Sequence, residues 1–313
     1  MPIIATAGEI LVEFVSHQKN CALSEIGPYS GPYPSGAPAI FIDQVARNGA
    51  KTLIFGGVGD DGFGRLVLKR LETDRVDVSG VSVAPDQSTG TAFVSYYESG
   101  TRDFIFHLAN TAAECFKLPE LLPDAAQTWF HVSAASLGNA TLRSAIMALV
   151  HQVRSAGGRI TCDPNARPEL MRDAKAADAL REVMSVSFVL LPSTSDLDFL
   201  FPGLSEAEAV EQMREIGASI IVLKRGALGA SVISDDLRLD LPGHAVEEID
   251  PTGAGDCFCG TFVSLIAQGV SVPEAVRYAN AAGAIAVTRR GPMEGNTTLD
   301  EIKAFLDEKE IPA

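Results

Sequence analysis

The sequence predicts an α/β fold, with a mostly parallel central sheet covered by helices on both faces and a small β lid. In the second half of the chain, short apolar strands alternate with helical segments, which is typical of a parallel sheet buried on both faces. A hairpin pattern over 91–106 does not suit such a sheet and predicts the lid. A glycine turn at 253–255, followed by a long apolar run, predicts a buried helix. We expect one domain over 1–313, with lid segments at about 11–33 and 88–110.

The composition limits the classes of partner. The chain has 313 residues, of which 46% are hydrophobic, enough to bury a sizeable core. Its formal net charge of −15 argues against a nucleic-acid-binding surface. No apolar stretch reaches the length of a membrane span, the N-terminus lacks a signal-peptide pattern, and five cysteines without framework spacing favour a reducing compartment. We therefore expect a cytoplasmic protein that binds neither nucleic acid nor membrane.

The first part of the chain predicts a strand, a loop and a helix. Residues 2–8 are apolar, and the alternation over 9–14 continues that strand, so that Glu13 faces a ligand from the strand end. The segment 27–36 is rich in glycine, proline and tyrosine, which indicates a loop. A helix is predicted from about Pro38 to Asn48.

A G-x-G-x-x-G motif at Gly57, Gly59 and Gly62 follows a predicted strand and precedes a predicted helix. That context fits the fingerprint of a dinucleotide site, so an NAD-dependent oxidoreductase stays open as an alternative. A dinucleotide-binding chain would be expected to begin with this unit and to carry an acidic residue at the end of its second strand. Glu72 and Asp74 lie instead in the helix tail and turn, so we interpret the motif as a turn of another kind.

Polar residues and glycines follow the later predicted strands, at the ends where ligands collect in open α/β sheets. Strands are predicted over 128–133, 159–163, 187–191 and 219–223, separated by helices over about 141–155, 174–184 and 206–216. The residues that follow strands are Asp163, Asn165 and Arg167; Ser193 and Asp196; Lys224, Gly226 and Gly229; and the segment from Asp250 to Asp256. We expect these residues to lie at one edge of the sheet.

The segment from Gly253 to Asp256 combines the features of a phosphoryl-transfer site. Its small residues let the backbone turn tightly and approach a ligand closely. They precede a helix, whose first N–H groups and dipole favour an anion. Asp256 places a carboxylate beside that anion, where it can accept the proton of a hydroxyl that attacks phosphorus. The alternative is an ordinary strand-to-helix turn in which the aspartate serves as a cap.

The string D-P-T-G-A-G-D over 250–256 resembles the C-terminal signature of the ribokinase/PfkB family of carbohydrate kinases. The resemblance implies a ribokinase-like three-layer αβα fold, Asp256 as the catalytic base, and an anion hole formed by Gly253, Ala254 and Gly255. The string D-P-N-A-R over 163–167 resembles the fructokinase and 2-keto-3-deoxygluconate kinase branch of that family. The sequence contains no Walker phosphate loop, which excludes a P-loop kinase.

The same resemblance implies a set of residues for each ligand, with ATP, Mg²⁺ and K⁺ as cofactors. For the sugar, it implies Glu13, Gly36, Ala37, His107, Asn165, Arg167 and Asp256. For ATP, it implies Ser193, Lys224, Gly226, Gly229, Gly253, Gly255 and Asn280. Asp196 stands where the family organises Mg²⁺, although Ser193 and Asp196 also suit a helix cap. The implied monovalent-cation site comprises Asp250, Thr252, Ala286, Arg289, Gly291 and Gly295.

The substrate prediction depends on the predicted lid. His107 stands where kinases for the keto-acid place an arginine that holds the substrate carboxylate, and a mostly neutral histidine favours a neutral ketohexose, fructose or tagatose, phosphorylated at its 6-hydroxyl. A 2-keto-3-deoxygluconate kinase and a ribokinase-like pentose or nucleoside kinase stay open, as does a sugar-sensing protein without turnover. In the family such a lid often forms the dimer contact, so we expect a homodimer through the lid.

Overall fold

The computed structural model describes residues 2–99, 101–115, 117–122, 124–166 and 173–310, and its strands form two sheets. The strands are β1 Ile3–Ala7, β2 Leu11–Ser16, β3 Tyr29–Ser35, β4 Lys51–Gly59, β5 Gly80–Ala84, β6 Gly90–Tyr96, β7 Arg102–His107, β8 Thr128–Ser133, β9 Arg159–Asp163, β10 Val189–Leu190, β11 Ile220–Lys224, β12 Ala230–Ser234 and β13 Arg238–Leu241. The central sheet has the order β13-β12-β11-β10-β9-β8-β1-β4-β5. Its pairs are parallel from β11 to β5, and β11, β12 and β13 pair antiparallel at one edge.

Helices cover the central sheet on both faces, as the alternation of strands and helices predicts. They are α1 Ala37–Arg47, α2 Gly62–Thr73, α3 Ala140–Ser155, α4 Ala174–Val186, α5 Thr194–Leu200, α6 Glu206–Ile216, α7 Ala254–Ala267, α8 Val272–Ala286 and α9 Leu299–Glu310. One buried cluster joins the sheet to α1, α7 and α8, and a second joins it to α3, α4 and α6. Within the described part of the chain, no helix is both long and apolar enough to cross a bilayer.

The second sheet is a four-stranded lid with the order β3-β2-β6-β7. The predicted hairpin is confirmed as β6 and β7, which pair antiparallel. The prediction that 9–14 continues the first strand is wrong, because β1 ends at Ala7 and β2 belongs to the lid sheet. The break falls at Gly8, whose φ is 156° and where an added Cβ would lie 2.4 Å from Ser136 Oγ. The chain can therefore turn from one sheet into the other only at a residue without a side chain.

Helix α7 has a continuous buried segment. From Cys257 to Leu265 every residue is buried, which the apolar run in the sequence predicts. Gly253 precedes the helix and Gly269, with φ of 89°, follows it, so that glycines in the left-handed region mark both ends. Because α7 packs between α1 and α8, its first turn is fixed against the rest of the protein.

A buried histidine lies in the central sheet beneath this region. The ring of His131 stacks on Phe41 of α1, with centroids 3.8 Å apart, and its Nδ1 lies 2.9 Å from Thr161 Oγ1. Burial lowers the pKa of His131 to about 3, and the positive charge of Lys224 acts in the same direction. The folded protein therefore holds this imidazole neutral in the physiological range.

We predict that acid destabilises the fold through His131. The pKa is about 3 in the folded protein and 6.5 for an ordinary histidine, so below pH 6.5 the unfolded chain binds a proton that the folded chain refuses. As the pH falls from 6.5 to 3, the free energy of unfolding should decrease by about 1.4 kcal/mol per pH unit. Urea unfolding at several pH values, compared with the non-titrating variant His131→Phe, measures this contribution as the difference in slope. Parallel pH profiles for the two proteins would contradict the prediction.

Candidate active site

The N-terminus of α7 is built on a glycine. Gly253 has φ of 80°, and an added Cβ would lie 2.2 Å from the carbonyl oxygen of Pro292. The first backbone bond of the helix runs from Cys257 N–H to the carbonyl oxygen of Gly253, at 2.8 Å. The N–H groups of Ala254 and Gly255 come before that bond, have no acceptor within the helix and carry its positive dipole end. This geometry suits an anion such as a phosphate.

A carboxylate and an ammonium meet at the same turn. Asp256 lies in the first turn of α7 and is half-buried. Lys224 is the last residue of β11, and its Nζ lies 3.5 Å from the position of an added Cβ on Gly255. The structure thus brings Lys224 to the segment from Gly253 to Asp256, which the sequence placed after a different strand.

Lys224 forms a buried ion pair with Asp163, the last residue of β9. Lys224 Nζ lies 2.5 Å from Asp163 Oδ2, and the two side chains are only 12% and 4% exposed. Burial alone would lower the pKa of Lys224, but the charge of Asp163, with smaller contributions from Cys259 and Asp196, outweighs burial and raises that pKa. The ammonium therefore stays charged beside the helix N-terminus, where it can attract phosphate oxygens.

Asn165 is fixed beside this ion pair. Its backbone has φ of 34°, and its N–H donates to Asp163 Oδ1 at 3.0 Å. Its Nδ2 donates to Ser133 Oγ at 3.2 Å, so that the side chain is held at the end of β8. Arg167 lies outside the described residues, and its role stays a prediction.

Ser193 and Asp196 form the cap of α5. Ser193 N–H donates to Asp196 Oδ2 at 2.7 Å, and Asp196 N–H donates to Ser193 Oγ at 3.3 Å. Asp196 Oδ1 accepts from Ala166 N–H at 2.7 Å, so both carboxylate oxygens are engaged with the protein. Within the described residues, no group of three or more His, Cys, Asp or Glu could hold a metal ion. A magnesium role for Asp196 through water stays a prediction, and the capping role is observed.

The glycine turn predicted for the nucleotide lies between β11 and β12. Gly226 and Gly229 have φ of 54° and 97°, and an added Cβ on Gly229 would lie 2.0 Å from the carbonyl oxygen of Leu241. Asn280 of α8 donates from Nδ2 to the carbonyl oxygen of Pro242, at 2.8 Å. The turn, the end of β13 and α8 therefore lie together. Contact of these residues with a nucleotide stays a prediction.

The residues predicted for the sugar lie where β3 meets α1. Glu13 of β2 is 3% exposed, and its Oε2 accepts from Ser35 Oγ at 3.3 Å. Gly36 has φ of 107°, and an added Cβ there would lie 2.4 Å from the carbonyl oxygen of Glu9, so this position requires glycine. Ala37 follows as the first residue of α1. Three of the predicted sugar residues are thus neighbours, and their contact with a sugar stays a prediction.

Sequence reasoning missed Glu9 at this junction. Glu9 is 5% exposed and its Oε2 accepts from Ser136 Oγ at 2.5 Å. Burial raises the pKa of Glu9, although the hydrogen bond from Ser136 opposes the shift. A single glutamate within an apolar strand pattern carries no signal that it turns inward, so the sequence could not have identified it.

The structure does not bring His107 to the Glu13 side of the lid. In the register of the lid sheet, Glu13 pairs with Ala92 and Ala92 with Phe106, whereas His107 pairs with Thr91, one position away. Side chains one position apart point to opposite faces of a sheet. His107 lines a cavity of about 350 Å³ at the N-terminus of α2 instead, on the other face of the lid.

Two of the residues predicted for a monovalent cation, Thr252 and Gly291, contact Asp250, which is 1% exposed. Its Oδ1 accepts from Thr252 N–H at 3.0 Å, and its Oδ2 accepts from Gly291 N–H at 2.9 Å. Further contacts join the remaining members, since Arg289 N–H donates to the carbonyl oxygen of Ala286 and an added Cβ on Gly295 would lie 2.6 Å from the same oxygen. A carboxylate with backbone carbonyls nearby is a donor set that suits K⁺.

Tyr96 of the lid reaches the same carboxylate, which the sequence did not predict. Its hydroxyl donates to Asp250 Oδ1 at 2.5 Å and is hydrogen-bonded to Thr252 Oγ1. The hairpin pattern places Tyr96 at the end of a lid strand, but no sequence signal connects that strand to a turn more than 150 residues later.

At the glycine motif 57–62, other groups of the protein occupy the space that a bound dinucleotide would need. An added Cβ on Gly57 would lie 2.0 Å from the carbonyl oxygen of Ala112. The carboxylate of Asp61 caps α2 by accepting from Gly64 N–H at 2.8 Å, and it also accepts from Thr89 N–H at 2.8 Å. A carboxylate therefore occupies the place where a pyrophosphate would bind, and the oxidoreductase alternative fails.

Comparisons with known proteins agree with this geometry. A model described as the pfkB family carbohydrate kinase matches residues 4–299 of the chain. A fructokinase of Vibrio alginolyticus is 30% identical over 280 residues, covering 87% of this chain and 91% of the relative. A fructokinase of Salmonella typhimurium is 32% identical over 269 residues, covering 83% of this chain and 87% of the relative.

Solved structures confirm the ribokinase-like three-layer fold. An E. coli protein provisionally named ribokinase II, solved in complex with ATP and Mg²⁺, is 40% identical, with a TM-score of 0.90 and coverage of 98% of this chain and 100% of that one. A fructokinase double mutant from Vibrio cholerae O395, solved with fructose, ADP and a potassium ion, is 27% identical, with a TM-score of 0.85 and coverage of 98% of each chain.

Proposed function

The chain belongs to the pfkB family of carbohydrate kinases, and from that premise we propose that it transfers the γ-phosphate of ATP to the 6-hydroxyl of a ketohexose, fructose or tagatose. The observation that carries the proposal is the first turn of α7, where an aspartate, free helix amides and a charged lysine meet. Each of these groups has a separate task in phosphoryl transfer to an alcohol.

Asp256 acts as the general base in this mechanism. The sugar hydroxyl oxygen forms a bond to the γ-phosphorus while the bond from that phosphorus to the β–γ bridging oxygen breaks, and ADP leaves with the bonding electrons. The hydroxyl proton passes to the carboxylate of Asp256. The N–H groups of Ala254 and Gly255, with the ammonium of Lys224 behind them, stabilise the negative charge on the transferred group.

We propose Mg²⁺ and K⁺ as cofactors, and the chemistry of the residues supports both. Mg²⁺ usually keeps several waters and binds through substrate phosphates, so it needs no protein ligand cluster and would neutralise phosphate charge as it arrives with ATP. Asp250 Oδ2 accepts one protein hydrogen bond, from Gly291, and retains acceptor capacity for K⁺ together with nearby carbonyl oxygens. Bound there, K⁺ would stabilise the turn that leads into α7.

The choice of a ketohexose rests on charge and on relatives. On the lid face that carries Glu13, the register neighbours Ala92 and Phe106 are uncharged, and Arg102 lies at the other end of that face, beside Tyr96. Lys224 is already paired with Asp163. Two relatives at 30% and 32% identity are fructokinases, which supports fructose over the keto-acid.

We predict that Asp256→Asn lowers kcat by roughly 10²–10⁴-fold, because the amide cannot accept the proton. Sugar affinity should be nearly kept, since the amide retains hydrogen-bonding capacity. A coupled ADP-release assay measures turnover, and calorimetric titration with sugar measures binding. Asp300→Asn, an exposed first-turn aspartate of α9, is the matched control and should keep full activity. Near-normal turnover of Asp256→Asn would refute the assignment.

We predict that fructose or tagatose has the highest kcat/KM in a substrate panel. The panel includes ribose, nucleosides and 2-keto-3-deoxygluconate, each with ATP and Mg²⁺, with and without K⁺. A clear preference for the keto-acid would overturn the choice of substrate while leaving the kinase reaction intact. Absence of turnover with every member, in a folded protein, would count against the reaction itself.

We predict a homodimer that forms through the lid. Strand β7 is an edge of the lid sheet, and Ile105 on that strand is 44% exposed, which favours pairing with a second apolar surface. Light scattering after size-exclusion chromatography should give about twice the monomer mass at micromolar concentration. Ile105→Asp should shift that mass toward the monomer, and a monomeric wild type would contradict the prediction.

A further inference from the structure

We infer that Tyr96 is a positioning residue that couples the lid sheet to the turn that begins α7, so that the anion site is held in place only when the lid is seated. The coupling is a property of the fold, and its effect on turnover rests on the proposed function. Tyr96 would touch neither the phosphate nor the attacking hydroxyl, and it would act through Asp250 and Thr252.

The hydroxyl of Tyr96 lies at the point where the lid meets the central domain. It donates to Asp250 Oδ1 at 2.5 Å and is hydrogen-bonded to Thr252 Oγ1. Burial raises the pKa of Tyr96, and the negative charges of Asp250 and Glu13 act in the same direction. The hydroxyl is thus placed as a donor to the carboxylate of the turn before α7.

Asp250 connects three segments through one carboxylate. It accepts from Tyr96 of the lid, from Thr252 N–H of its own turn, and from Gly291 N–H of the segment that follows α8. The carboxylate is 1% exposed, so water cannot readily replace a lost donor. A hydrogen bond to a buried charge is among the stronger protein hydrogen bonds, and its loss leaves the carboxylate partly unsatisfied.

The turn held by this carboxylate leads directly into the anion site. Thr252 precedes Gly253, and Gly253 lies against the carbonyl oxygen of Pro292, which follows Gly291. Asp250 thus sets the position of both sides of that contact. A shift of the carboxylate would be transmitted to the N–H groups that begin α7, because no flexible residue lies between Thr252 and the helix other than Gly253 itself.

The lid face that carries Tyr96 also carries Glu13. Glu13 lies beside Ala92 in the register of β2 and β6, and Ala92 and Tyr96 are separated by four positions on β6, so their side chains share a face. A sugar that contacts Glu13 would therefore stabilise the lid position in which Tyr96 is bonded to Asp250. In this way sugar binding would prepare the site for the nucleotide.

Tyr96→Phe removes only the hydroxyl, and Tyr97→Phe is the matched control. Tyr97 is the next residue and is also half-buried, but its hydroxyl has no hydrogen-bond partner within the described part of the chain. Both variants are measured as full-length protein. Thermal unfolding of both variants first establishes that each is folded.

Hydrogen exchange tests the coupling without any substrate. In Tyr96→Phe, the amides of the segment 252–257 should exchange about tenfold faster than in the wild type, because the lost bond opens the turn more often. Tyr97→Phe should exchange like the wild type. Unchanged exchange at 252–257 in Tyr96→Phe, or an equal increase in Tyr97→Phe, would overturn the inference.

Kinetics and binding test the consequence for catalysis. In Tyr96→Phe, kcat should fall about tenfold. We expect saturating fructose to tighten the binding of a non-hydrolysable ATP analogue to the wild type, and this effect should be lost in the variant. A purely structural role would lower the melting temperature and leave kcat and this coupling unchanged, which would overturn the catalytic part. Failure of the wild type to phosphorylate any sugar would count against the proposed function, while the exchange experiment would still decide the coupling.

Discussion

The site depends on one close backbone contact, that of Gly253 with Pro292. A side chain at position 253 would collide with the carbonyl oxygen of Pro292, and the residue also has φ of 80°, which favours glycine. The two segments approach because Asp250 binds the N–H of Thr252 on one side and that of Gly291 on the other. The direction of α7, and with it the position of Asp256, follows from this contact.

The electrostatics of the site are local and do not follow from the net charge. The chain carries −15 overall, yet the proposed ligand is a polyanion. The positive end of α7 and the ammonium of Lys224 supply an attractive field at one turn, and Asp163 keeps that ammonium charged despite its burial. Asp196 and Asp250 have their oxygens engaged by protein donors, so their charges are partly compensated. An acidic protein can therefore bind ATP without a basic surface.

Much of the fold could be predicted because local patterns and tertiary structure agree. The helices α1, α3 and α6 and the strands β8 and β9 lie within one or two residues of their predicted bounds, since each has a strong apolar period, and α7 begins at the predicted glycine turn. The strand predicted over 187–191 is only Val189–Leu190 in the structure, although the N–H groups of Phe188 and Leu191 still bond to carbonyl oxygens of β9. The first strand was predicted too long because alternation continues through Gly8, and the bend there depends on Ser136, which is distant in sequence.

The prediction of the site was least accurate for the lid, where His107 was expected to meet the substrate. A hairpin pattern shows that alternate residues face opposite ways, but it does not show which face meets the active site, because that depends on how the lid packs on α2. Phe14 of β2 stacks on Phe93 at 5.1 Å and contacts Phe63 of α2 at 5.8 Å. The lid face that carries Phe93 and His107 therefore packs against α2. Substrate selectivity should therefore be set by the opposite face, where Glu13 lies. A carboxylate on the substrate would be repelled by Glu13 there, so Glu13, rather than His107, supports the proposed neutral sugar.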